Sequence, residues 1–130
     1  MTESSEKLKT SKIGKLEDKV ISLLSLDFDS GSPIYIGESN IEHMKNTHPD
    51  DYNKYGNKIS EIISAPDYLR QNPKDGSIEY VKEYRVNNEF VKVAVRVSGS
   101  GVLFARSVYV LNANRINNFI KKGTLKKLDK

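Results

Sequence analysis

The sequence predicts an α+β domain: N-terminal helices packed on one face of a small antiparallel sheet, built as a strand meander, with a C-terminal helix closing the chain. Apolar residues recur at helical spacing as far as Ile63 and alternate with polar ones from Ile78 onward. The alternating half is cut by "NNE" and "SGSG", short segments of residues that accept positive φ, which reads as two hairpins. A length of 130 residues with 37% hydrophobic content suits one domain with a single modest core.

Residues 1–12, "MTESSEKLKTSK", are polar and predict a disordered N-terminus, leaving one domain over 13–127. In "IGKLEDKVISLLSL", Ile13, Leu16, Val20, Leu23 and Leu24 make one apolar stripe at helical spacing, a packing helix. That stripe meets the chain's own sheet or a second copy, so a monomer or weak homodimer is expected. "PIYIG" is a short β-rich run, and Ser39 or Asn40 caps a second helix that Pro49 stops at His48. "GNKISEIISAP" gives a third short helix that buries Ile59, Ile62 and Ile63 and ends at Pro66, and "APDYLRQNPKDGS" is a loop. Three strands follow, "IEYVKEYRV", "FVKVAVRV" and "VLFARSVYV", and then a helix over "NANRINNFIKK" stopped by Gly123. The last ten residues carry Lys121, Lys122, Lys126, Lys127 and Lys130, a basic end that is either a solvated terminus or a holder of phosphates.

Two-residue turns at Asn87-Asn88 and Gly99-Ser100 would divide the strand side chains into two faces. One carries Ile78, Tyr80, Lys82 and Tyr84, then the four valines Val91 to Val97, then Val102, Phe104, Arg106 and Val108; it meets the helices, with Lys82 and Arg106 reaching the rim or a partner. The other carries Glu79, Val81, Glu83 and Arg85, then Phe90, Lys92, Ala94 and Arg96, then Leu103, Ala105, Ser107 and Tyr109, and is expected to be open. In that register Glu79 lies opposite Arg96 and Glu83 opposite Lys92, so ion pairing accounts for four charges. Arg96, Lys92, Ser107 and Tyr109 also offer the cations and hydroxyls that a phosphate would meet, or else form a hydrated strand surface.

The absence of cysteine removes disulfides, thiolate chemistry and sulfur-rich metal sites. A net charge of +4 favours an anionic partner without demanding one. No run approaches the length needed to cross a bilayer, and the N-terminal residues lack the apolar core of a signal peptide, so no membrane association and a cytoplasmic location are expected. Both histidines lie in "IEHMKNTHPDD". His43 and His48 are five apart and so about 140° apart around a helix axis, which does not suit a metal pair. His48 ends the helix beside Asp50 and Asp51, where both the dipole and the carboxylates attract positive charge. It either stabilises that helix end or transfers a proton.

The order "PIYIGESNIEHMKNTH", "ISEIISAPDYL", "SIEYVKEY", "VKVAVRV" and "FARSVYV" resembles the phage-associated nuclease-fold domains grouped with barnase, EndoU, colicin nucleases and RelE, over roughly Pro33 to Lys127. The matching elements are the histidine pair His43 and His48, Pro66-Asp67 at a helix end, a strand cation at Lys82 or Arg96, and Ser107-Val108-Tyr109. The resemblance implies a BECR-type, barnase-like fold and metal-independent, cofactor-free endoribonuclease activity of toxin type. The ribose 2′-hydroxyl would attack the neighbouring phosphorus and leave a cyclic phosphate. Carried over, it assigns His48 to proton transfer with His43 second, Arg96 to phosphate charge, and Ser107 and Tyr109 to orienting the phosphate or a proton, with Lys82, Lys92 and Arg106 as further phosphate contacts. RNA, tRNA included, would be the substrate and an inhibitor protein a partner. The alternative is a non-catalytic RNA- or protein-binding module that keeps the fold. On a flat sheet the Arg106 and Arg96 sets lie on opposite faces; only a bent sheet or a rim site unites them.

Overall fold

The computed structural model describes residues 10–128. Thr10–Lys15 forms β1 and Asp18–Leu24 forms α1, where one continuous helix from Ile13 and a disordered stretch to Lys12 are expected from the sequence. Residues 1–9 of that stretch lie outside the described residues. The stripe is real, since Leu16, Val20 and Leu24 are all buried, but its first third is strand. Thr10–Lys15 pairs antiparallel with β2 (Pro33–Gly37), and sheet hydrogen bonds with a partner eighteen or more residues away override a local helical spacing that a glycine already weakens. At Gly14, a Cβ would stand 3.1 Å from Ile63 Cγ2, so the glycine lets a later helix pack close against β1.

From β2 the chain enters α2 (Glu38–Thr47), capped at Gly37, whose N–H donates to Asn40 Oδ1 at 2.8 Å. The helix stops at His48 as the following proline requires, yet Pro49 also opens α3 (Pro49–Tyr55), which the sequence reading missed. His48 is the joint: its N–H donates to Met44 O and its carbonyl accepts from Tyr52 N–H. A 3₁₀ turn, Gly56–Lys58, leads into α4 (Ile59–Ser64), with Ile59, Ile62 and Ile63 buried as expected. The segment expected to be a plain loop contains β3 (Tyr68–Gln71). The meander follows as expected: β4 (Ile78–Tyr84), β5 (Glu89–Val97) and β6 (Leu103–Leu111). The last helix, α5 (Ala113–Lys122), has Asn112 Oδ1 accepting from Arg115 N–H at its start and Gly123 at φ 71 at its end. Lys126–Lys127 is a short strand, β7, between the buried Leu125 and Leu128, so this part of the basic end is built into the sheet.

Among the described residues the sheet has seven strands in the order β1-β2-β6-β5-β4-β3-β7. It is antiparallel except at β2 and β6, which run parallel and pair only at Ile34–Leu103 and Tyr35–Phe104. A mixed sheet thus replaces the expected purely antiparallel one. The main core lies on one face, where α1, α4 and Met44 of α2 cover Ile34, Tyr80, Val91, Val93 and Val108. The other face is not left open: α5 lies across part of it, with Ile116 and Leu125 on Val81 and Leu111, so the helices are not confined to one face. Among the described residues no helix is long and apolar enough to cross a membrane.

The strand register departs from expectation at both hairpins. Tyr84 pairs with Glu89 across a four-residue loop with Asn88 at φ 56, which slides β4 by two residues and sets Glu79 opposite Ala94 and Glu83 opposite Phe90. The expected pairs Glu79–Arg96 and Glu83–Lys92 therefore do not form. Between β5 and β6, Ser98 N–H donates to Val102 O across a three-residue loop with Gly101 at φ 86. One loop residue more than expected turns the start of β6 over, so Leu103 and Ala105 enter the core and Phe104 faces out. A bulge between Ala94/Val95 and Ser107/Ala105 then restores the phase, and Val108 returns to the core opposite Val93.

Candidate active site

That bulge decides what the second face displays. Arg106 is its extra residue; before it Phe104 stands opposite Arg96, and after it Ser107 stands opposite Ala94 and Tyr109 opposite Lys92. The residues expected on two separate faces therefore share one. Arg96 and Arg106, both exposed, line a cavity of about 360 Å³ with Phe104, Ser98, Thr10 and the first turn of α2, Gly37 to Asn40. Two guanidinium groups and the positive end of a helix dipole make this an anion-attracting pocket, offset in part by the Glu38 carboxylate on its wall. The charge of Arg96 is felt by Asp75, whose carboxyl is held below the usual range first by hydrogen bonds from the Ser77 hydroxyl and N–H and then by that guanidinium.

Because β2 leaves β6 after Phe104, the rest of β6 has a free edge on that side, and α2 and α3 fill it. Asp51 in the first turn of α3 accepts from the Val110 N–H at 3.1 Å, taking the place of a strand partner. This contact brings the α2–α3 joint onto Tyr109, whose ring stacks on His48 with centroids 4.7 Å apart at 18°. Tyr109 lies three residues beyond Arg106, roughly 10 Å along the strand. His43 is exposed, on the flank of α2 that also carries Asn40 and Thr47 and one turn on from Ser39. Among the described residues neither imidazole makes a side-chain hydrogen bond.

Two of the expected phosphate contacts are otherwise engaged. Lys92 is 5% exposed; its ammonium sits 3.1 Å from Glu79 Oε2 and 4.6 Å from the centroid of Tyr109. Glu79 also binds Arg70 at 2.7 Å and accepts from Asn72, so a buried ionic cluster lies under Tyr109. Lys82 reaches the rim, as one of its two expected readings had it, and donates to Ala65 O at 2.8 Å at the end of α4. Neither lies in the Arg96–Arg106 pocket. Asp67 is structural in its position, its carboxylate accepting from Glu83 N–H at 2.8 Å. The sequence reading passed over Phe104 and the first turn of α2, because a parallel pairing of β2 with β6 leaves no local signature. Among the described residues no group of three or more histidine and carboxylate side chains is gathered as metal ligands would be.

The fold is a mixed sheet whose second face carries a pocket lined by two arginines and the first turn of a helix. The family model described as phage-Barnase-EndoU-ColicinE5/D-RelE like nuclease 3 matches residues 11–118, and the chain belongs to that family. The match takes in α1 and all of β1 but Thr10, whereas the resemblance read from the sequence left the first helix outside, and it ends at 118, short of the Lys127 to which that resemblance extends. No curated protein and no solved structure matches the chain.

Proposed function

We propose that this member of a phage-associated nuclease family is a metal-independent endoribonuclease of toxin type that cleaves RNA by attack of the 2′-hydroxyl on the adjacent phosphorus. The observation that carries the reading is the bulge at Arg106, which sets Arg96, Arg106, Ser107 and Tyr109 on one face with His48 stacked at its far end. The reaction needs a base for the 2′ proton, an acid for the departing 5′ oxygen and cations for the phosphorane, whose extra negative charge is the largest electrostatic change along the path. In this reading Arg96 anchors a phosphate in the pocket at the start of α2, and the scissile phosphate lies between Arg106 and the His48–Tyr109 stack farther along β6. His48 takes the 2′ proton, and His43 is the second candidate for proton transfer. Ser107 or Tyr109 orients the phosphate oxygens. The 2′ oxygen bonds to phosphorus as the bond to the 5′ oxygen breaks, the 5′ oxygen takes the proton that His48 has removed or one from His43, and a 2′,3′-cyclic phosphate remains. Lys92 supports Tyr109 from beneath and does not contact the substrate.

The test is incubation with total bacterial RNA in EDTA beside His48→Ala and Arg96→Ala, with analysis of the product ends. Cyclic phosphates made by the parent and lost in both variants support the reading. A second reading, an RNA-binding module that keeps the fold, draws on neither imidazole making a side-chain hydrogen bond among the described residues. Binding at low salt with no cleavage would favour it.

A further inference from the structure

Four residues lie in one row across four strands of the second face. Lys12 of β1 is opposite Tyr35 of β2, Tyr35 is opposite Phe104 of β6, and Phe104 is opposite Arg96 of β5. The row reads cation, ring, ring, cation. At roughly 4.8 Å between strands it spans about 14 Å. The two rings are in tilted contact, 6.2 Å between centroids at 45°, and each is only half-buried, while Lys12 and Arg96 are exposed. Of the described helices on this face, α5 gathers on Val81 and Leu111, farther along the sheet, and α2 reaches the row only with its first turn, at the pocket beside Phe104 and Arg96. Among the described residues neither ring belongs to a core cluster, and both lie half-buried between two exposed cations, beside a third cation at Arg106.

We infer that this row is a base-stacking platform for unpaired nucleotides. Tyr35 and Phe104 receive one or two splayed bases, and Lys12 and Arg96 hold the phosphates on either side. This rests on the nucleic-acid reading above and extends it. A ring offers its face to a base only when that base is out of a duplex, so the platform selects single-stranded RNA, and it reads no sequence because every base has a π-face. It also seats the chain so that the phosphate next to a stacked base falls at Arg96 and Arg106.

The test is fluorescence anisotropy with a 2′-O-methyl oligouridine octamer, which cannot be cleaved by 2′-hydroxyl attack, against an abasic octamer and a blunt duplex. The parent should bind the base-bearing single strand on the order of tenfold more tightly than the abasic one, the size of one stacked base. Phe104→Ala alone, which leaves Tyr35 as the single ring, should lower that preference, and Phe104→Ala combined with Tyr35→Ala should erase it. Phe104→Trp should keep it, and Phe104→Leu, which preserves apolar volume in case the alanine variant does not fold, should lower it as the alanine variant does. Lys12→Ala and Arg96→Ala should weaken both octamers alike and each lower the salt slope by about 0.7. Equal binding of the base-bearing and abasic octamers by the parent, or a duplex bound as tightly as the single strand, overturns the platform while leaving the nuclease reading intact. No binding of any oligomer overturns both.

Discussion

The Glu79 carboxylate is 2% exposed and holds two cations, Arg70 at 2.7 Å and Lys92 at 3.1 Å, whose side chains are 13% and 7% exposed. Glu79→Gln keeps the size and removes the charge, so two buried cations would face each other with no anion between them. At an effective dielectric of about 20, each attraction is worth about 5 kcal/mol gross, most of it offset by desolvation already incurred on folding. Removing one partner does not return that desolvation, and the expected loss is about 3–5 kcal/mol. Replacing Arg70, Glu79 and Lys92 together with apolar side chains of similar size should recover most of it, because no uncompensated charge is then buried. Urea denaturation followed by circular dichroism measures both, provided the m-value is unchanged. A loss below about 1 kcal/mol for Glu79→Gln would refute the argument, since it would mean the two cations reach water without the carboxylate.

Two further outcomes are expected. The Glu89 carboxyl is held below its ordinary range first by the Lys54 ammonium at 2.7 Å and then by the Tyr55 hydroxyl at 2.6 Å. A depressed folded-state pKa contributes stability that is present above the ordinary carboxylate value of 4.5 and lost as pH falls through the lower folded value; Glu89→Gln should therefore flatten the decline in Tm below about pH 4.5, and an unchanged acid profile would contradict the linkage. Asp51→Ala leaves the Val110 N–H of β6 without its acceptor, and should cost about 1.5–3 kcal/mol in urea unfolding while accelerating amide exchange at Val110; no change in either would mean that α3 does not cap the strand.

The strongest periodic signals survived the fold intact. Ile59, Ile62 and Ile63 on α4, the alternating valines of β5, and the Asn112 and Gly123 ends of α5 form as their local patterns direct, because each depends on neighbours within a turn or across a short hairpin. Segments stabilised from far along the chain were misread. Ile13 and Leu16 fit a helical stripe, but β1 exists through pairing with β2; Tyr68–Gln71 read as loop, but pairs with β4 and β7.

The candidate site divides along the same line. Sequence alone determined its chemistry: two histidines in one helical segment, the second against a proline, arginines and hydroxyls in alternating strands, and no thiol. Only the tertiary structure decided which of these meet. A loop one residue longer than the tightest turn reverses the start of β6, and the bulge at Arg106 reverses it back, so Arg96, Arg106, Ser107 and Tyr109 share a face that a regular register would have split. Strand side chains alternate with a period of two, and a single inserted residue exchanges the faces; its position is fixed by which side chains the core accepts, Ala105 and Val108 here, and that choice belongs to the assembled sheet.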